Sequence, residues 1–143
     1  MKTLNMKSLN RAISGVTAMA ALVGALAPVA SWAGPRVLMA QTSLKFGSDT
    51  DVVNLPSCPS RRNKPVFAVQ IQTLKKGADI DYVMVRYENG VWDNLPLRER
   101  FWAGERSRVI DLPGGKRCVD AIVVRGDTIG GGRQALVRVF GYR

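Results

Sequence analysis

The chain contains no histidine. That absence excludes Ser-His-Asp and Cys-His nucleophile arrangements, histidine metal ligation and the usual general base near neutral pH. Only two cysteines occur, Cys58 and Cys118, and they are too far apart to form a Cys-x-x-Cys motif. Neither a thioredoxin-like redox pair nor a four-ligand zinc site is spelled out. Acidic residues are scarce: 11 against 21 lysines and arginines, which leaves a net charge of +10. Charge of either sign is missing altogether between Arg11 and Arg36. Beyond residue 34 no stretch sustains the 3.6-residue apolar period of an amphipathic helix, and there is no internal repeat or low-complexity segment.

The uncharged N-terminal stretch has the organisation of an export signal. Lys2, Lys7 and Arg11 make a positive n-region, and an Ala-, Val- and Leu-rich run from Ala12 to Ala30 follows, broken by Pro28. Ser31-Trp32-Ala33 then places small residues at −3 and −1, which predicts a signal peptide over 1–33, cleaved before Gly34. A retained membrane anchor is the competing reading, because the run is nearly long enough to span a bilayer. Small residues, Pro28 and the cleavage site favour cleavage, after which no membrane span remains. No cysteine follows the run closely, and Asn10-Arg11 is not a twin-arginine pair, so lipoprotein and twin-arginine export are set aside.

Cleavage leaves one domain, 34–143, of 110 residues and net charge +7. That length buries about two-thirds of its unfolded surface, enough for a core. An even cysteine count in an oxidising compartment predicts a Cys58–Cys118 disulfide. Closing its 60-position loop is worth about 4 kcal/mol in the chain-entropy picture. A cationic exported protein meets lipid headgroups and acidic envelope polymers, although a soluble protein can simply be basic.

The mature segment is punctuated like an all-β protein. In Val66–Leu74, Phe67, Val69 and Ile71 alternate with Gln70 and Gln72. In Ile80–Glu88, Val83, Val85 and Tyr87 alternate with Ile80, Tyr82 and Met84; both faces are apolar, as in a central strand. Glu88-Asn89-Gly90-Val91 predicts a type I′ hairpin turn. Further strand-like runs are 36–46, 52–55, 97–102, 106–112, 118–125 and 134–142, and Arg61–Lys64 is the best exposed-loop candidate. Short strands divided by turn signals predict a small antiparallel β-sandwich of about seven to nine strands.

Carboxylates are the acid–base chemistry that histidine-free sequences retain. Asp79 and Asp81 could share a face, as a glycan hydrolase would require, but a solvated turn after Lys75-Lys76-Gly77 also explains them. Asp49 and Asp51, within Gly47-Ser48-Asp49-Thr50-Asp51, form the calcium candidate; the rest of an EF-hand loop is missing, and a polar turn capping the next strand is the simpler account. Gly130-Gly131-Gly132-Arg133 lacks the Gly-Lys-Ser/Thr of a phosphate loop and reads as a hairpin tip. No cofactor is indicated.

A basic hairpin is the most pointed ligand-binding expectation. With Ala103-Gly104-Glu105 as its turn, Trp102 pairs with Arg106, Arg100 with Arg108 and Arg98 with Ile110. Arg98, Arg100, Arg106 and Arg108 then gather beside an indole, a set suited to phosphate, carboxylate and sugar. An ordinary solvated face softened by Glu99 and Glu105 is the alternative, and a register slip of one residue scatters the cluster.

Several segments together carry a family resemblance: Ser43-Leu44-Lys45-Phe46-Gly47, Asp49-x-Asp51-Val52-Val53, Leu55-Pro56-Ser57-Cys58, Arg106 through Asp111-Leu112, Gly114-Gly115, and Lys116-Arg117-Cys118-Val119. The mature chain is similar to the YaaI-like family of small exported proteobacterial proteins of unknown function. That resemblance implies a periplasmic β-sandwich with its two cysteines paired, and brings no catalytic residue or ligand. The sequence therefore leads to a non-enzymatic envelope binding or accessory module for anionic envelope polymer or lipid headgroups, with a carboxylate hydrolase on envelope glycans as the alternative. Nucleic acid is not expected as a partner, since export removes it and no RNA-binding signature is present.

Overall fold

The computed structural model describes residues 34–143; the expected signal peptide over 1–33 lies outside them. Nine strands run in chain order as β1 Arg36–Leu44, β2 Asp49–Asn54, β3 Ala68–Leu74, β4 Ala78–Tyr87, β5 Trp92–Leu95, β6 Glu99–Phe101, β7 Ile110–Asp111, β8 Val119–Thr128 and β9 Ala135–Tyr142. They form two antiparallel sheets, one ordered β1-β9-β3-β7 and the other β2-β8-β4-β5, with β6 also pairing on β4. The protein is an all-β sandwich. Among the described residues there is no helix long and apolar enough to cross a membrane.

Period-two burial places the core between the sheets. Val69, Ile71 and Thr73 of β3, Val137 and Val139 of β9, and Ile122 and Val124 of β8 all face inward, while Gln70 and Gln72 lie outside. In β4 the expected alternation changes phase. A bulge between Ile80 and Tyr82 inserts Asp81, so Ile80 and Val83 both point inward, with Val85 and Tyr87 following. Ile80 thus belongs with the Val83–Tyr87 set rather than opposite it. Beside this bulge the strands approach closely: a Cβ on Gly126 would sit 2.4 Å from the Asp79 carbonyl oxygen, so only glycine fits there.

The β4–β5 hairpin forms, with Arg86 opposite Trp92, but its turn is not type I′. Gly90 alone has positive φ, at 82°, and its N–H donates to the Tyr87 carbonyl at 2.9 Å. The Asn89 side chain accepts the Val91 N–H at 3.1 Å, and Asn89 itself does not take positive φ, so only the glycine does. Cys58 and Cys118 are bonded, with Cα atoms 5.6 Å apart. The bond ties the β2–β3 crossover to the start of β8. Buried Asn63 fastens the same crossover by donating to the Pro56 and Val119 carbonyls, each at 2.8 Å, while Arg61 and Arg62 stay exposed.

Candidate functional site

The expected arginine hairpin does not form. Its turn exists: the Glu105 N–H donates to the Trp102 carbonyl at 3.1 Å, and the Glu105 carboxylate accepts the Trp102 N–H at 2.7 Å. Its arms, however, belong to different sheets. β6 pairs on β4, setting Arg100 opposite Asp79, whereas Arg106 bridges Gln72 and β7 pairs on β3. The cause is backbone hydrogen bonding. β3 and β4 would each leave an open edge, and one arm fills each of them in preference to pairing with the other. Arg98, Arg100, Arg106 and Arg108 are all exposed, but the cross-strand rows that were to gather them beside Trp102 are absent. Arg100 instead meets the Asp79 carboxylate at 3.0 Å, and Arg108 donates to the Pro96 carbonyl at 2.6 Å.

The acidic candidates serve turns and ion pairs. The Asp49 carboxylate accepts the N–H groups of Lys45 at 2.9 Å and Thr50 at 3.1 Å, closing the β1–β2 turn, and Asp51 accepts the Thr42 hydroxyl. Their oxygens therefore fasten the β1–β2 connection between the two sheets, and among the described residues no group of three possible metal-ligating side chains gathers. Asp79 faces Arg100, and Asp81, carried outward by the bulge, faces Arg125 at 3.8 Å.

A different basic surface emerges from the topology. β1, β3, β6 and β8 end, and β2, β4 and β9 begin, at one end of the sandwich, so four connections cluster there: 45–48, 75–77, 102–109 and 129–134. Their contacts are explicit. The Thr128 N–H donates to the Lys45 carbonyl at 3.3 Å, the Ile129 N–H to the Gly77 carbonyl at 2.9 Å, and the Gly104 N–H to the Thr73 carbonyl at 2.7 Å. Lys76 Nζ donates to the Gly130 carbonyl at 3.0 Å. The connections carry Lys45, Lys75, Lys76, Arg106, Arg108 and Arg133, together with Phe46 and Trp102.

Two open depressions adjoin on this end. One, of about 660 Å³, is lined by Ser43, Lys75, Gly132, Arg133 and Gln134. The other, of about 280 Å³, is lined by Lys45, Phe46 and the same Gly132–Gln134 segment. Lys75 carries the most unusual backbone of the end, with φ at 65° and the Lys76 N–H donating across it to the Leu74 carbonyl at 2.7 Å. A three-residue turn of this hand is strained for a side chain without a local hydrogen-bonding group.

Sequence reading placed Trp102 and Arg106 in the wrong partnership and passed over Lys45, Phe46, Lys75, Lys76 and Arg133. In the sequence Lys75-Lys76-Gly77 and the triglycine read as punctuation, and Phe46 reads as the end of a strand that in the structure stops at Leu44. What signals the site is the cationic character of successive turns, which matters only once topology brings those turns to one end.

A family model described as Domain of unknown function (DUF2541) matches residues 16–141. The chain belongs to that family. Comparison with curated proteins and with solved structures gives no match. DUF2541 membership thus covers the whole sandwich up to Gly141, including every connection of the basic end.

At the opposite end, the Arg117 guanidinium lies 3.5 Å from the centre of the Tyr87 ring, and the Tyr87 hydroxyl donates to Asp93 at 2.9 Å. Burial, with the adjacent Asp93 carboxylate adding to it, pushes the Tyr87 hydroxyl up to about 12, against the opposing pull of Arg117.

Proposed function

We propose that this DUF2541 protein is an exported, non-enzymatic binding module of the bacterial envelope, holding anionic ligands at the basic loop end of its sandwich. The observation that carries the reading is the convergence of Lys45, Lys75 and Arg133 around two adjoining open depressions, with Lys76 reaching the Gly130 carbonyl of the same loop. Ammonium and guanidinium groups on separate turns meet phosphates or carboxylates spaced along a polymer or a headgroup layer. Export rests on the signal-like N-terminus with cleavage before Gly34, and the resemblance to YaaI-like periplasmic proteins supports the same compartment. The disulfide suits it as well.

Retention on heparin and on immobilised lipopolysaccharide tests the reading. Binding should weaken steeply as salt rises, because exposed charges are screened over about 8 Å at physiological ionic strength. Lys75→Glu with Lys76→Glu should abolish retention at a small cost in melting temperature, since Lys75 is exposed and Lys76 gives up one hydrogen bond to the Gly130 carbonyl. Arg61→Glu with Arg62→Glu removes the same charge at the opposite end and should leave most of it. Equal loss from both pairs would mean a basic protein with no site.

A further inference from the structure

Resting on that reading, we infer that the loop end docks on the surface of an anionic phospholipid bilayer, with Phe46 and Trp102 entering the headgroup layer. The exposed large apolar side chains of the described residues are Leu38, Phe46, Val52, Val91, Trp92 and Trp102. The two most exposed, Phe46 at 70% and Trp102 at 59%, both stand on connections of the basic end. Phe46 follows Lys45 directly and lines a depression with Arg133. Trp102 follows the last residue of β6 and abuts the Lys75–Gly77 turn: a Cβ on Gly77 would lie 3.3 Å from the Trp102 Cα.

The pairing of charge with bare aromatic surface decides the occupant. A dissolved polyanion satisfies cations but gives Phe46, which has no polar atom, little to bury against. A bilayer surface offers both: phosphates at the level of the lysines, and an apolar depth just below in which aromatic rings settle. The depressions are open rather than enclosed, and the carriers lie on different connections, as suits a planar partner. Three carboxylates share this end, and each already accepts backbone N–H groups. Asp49 takes those of Lys45 and Thr50, Asp127 that of Gly47 at 2.8 Å, and Glu105 that of Trp102. Arg100 and Asp79 cancel each other nearby. Lys45, Lys75, Lys76, Arg106, Arg108 and Arg133 outnumber these carboxylates and leave the end net positive.

The exported protein is mixed with vesicles of phosphatidylcholine alone and of phosphatidylcholine with phosphatidylglycerol, and partitioning is read by co-sedimentation. Binding is expected only to the anionic vesicles, falling with salt, and dropping at least about tenfold in Lys75→Glu with Lys76→Glu. Phe46→Ser should lower vesicle binding several-fold, and by a clearly larger factor than it lowers heparin retention. With bromine-labelled lipid, tryptophan quenching should persist in Trp92→Phe and disappear in Trp102→Phe. Heparin retention without vesicle binding would overturn the bilayer and leave the anionic site standing; loss of both would overturn the site itself. Equal binding to neutral vesicles, an unchanged Phe46→Ser variant, or quenching that follows Trp92 would also overturn the inference.

Discussion

Tyr87 concentrates several of the forces that shape this sandwich in one side chain. It is 1% exposed, its ring is covered by the Arg117 guanidinium, and its hydroxyl is held by Asp93. Burial and then Asp93 both favour the protonated phenol, raising it to about 12 in the folded protein from 10.0. The sign follows. Below pH 10 both folded and unfolded states keep the proton, and the stabilisation is fully present; from pH 10 to about 12 the unfolded chain ionises while the folded one does not, and stability falls. The loss amounts to about 3 kcal/mol across that window. Urea titrations between pH 8 and 12 should show this fall in the wild type and a flatter profile in Tyr87→Phe. An unchanged slope in the variant would assign the alkaline loss to other groups.

At the scale of elements, the sequence marked runs for edge strands β1, β2, β6 and β7 as well as for the core strands; what it left unmarked was β5 and the choice of partners. β3, β8 and β9 stand close to their predicted runs because alternating Val and Ile can be buried in one register only. β5 reads as Trp-Asp-Asn-Leu and buries a single residue, so periodicity had nothing to register. The 97–112 segment misled for a related reason. Local pattern favours a hairpin, but the competing partners, β3 and β4, are remote in sequence, and only the assembled sheets reveal their open edges. The candidate site was illegible in the same way, being a property of four turns brought together. One of those turns carries its own prediction. Lys75 sits at φ 65°, where glycine is relaxed, so Lys75→Gly should raise stability by about 0.5–1 kcal/mol while weakening retention on heparin. Lys76 lacks positive φ, and Lys76→Gly should weaken retention with no such gain. A Lys75→Gly variant that melts lower would show that the side chain stabilises the turn it strains.

Over the whole molecule, the division of labour runs along the long axis of the strands. One end gathers the cationic and aromatic connections; the other holds the Cys58–Cys118 bond, Asn63 and the Tyr87 cluster. The bond matters because the β2–β3 connection passes from one sheet to the other, and between its backbone-bonded ends at Leu55 and Phe67 it is tied by the disulfide, the Asn63 side chain and the Val66–Arg117 bridge. The cross-link spans 60 positions, which corresponds to about 4 kcal/mol of unfolded-state entropy. Domains of this size have a total stability of about 5–15 kcal/mol, so a reducing compartment would leave the sandwich marginal. The expectation couples fold to location. Intact-mass measurement on the osmotic-shock fluid should find a chain beginning at Gly34 and lighter than its reduced form by two hydrogens. Cys58→Ala with Cys118→Ala should unfold at a clearly lower denaturant concentration, with the slope of the transition raised if the reduced unfolded chain is less compact. A full-length chain in the membrane pellet would instead mean that the N-terminal run is a retained anchor. An oxidised and a reduced protein of equal stability would mean that Asn63 and the Val66–Arg117 bridge suffice to hold the crossover.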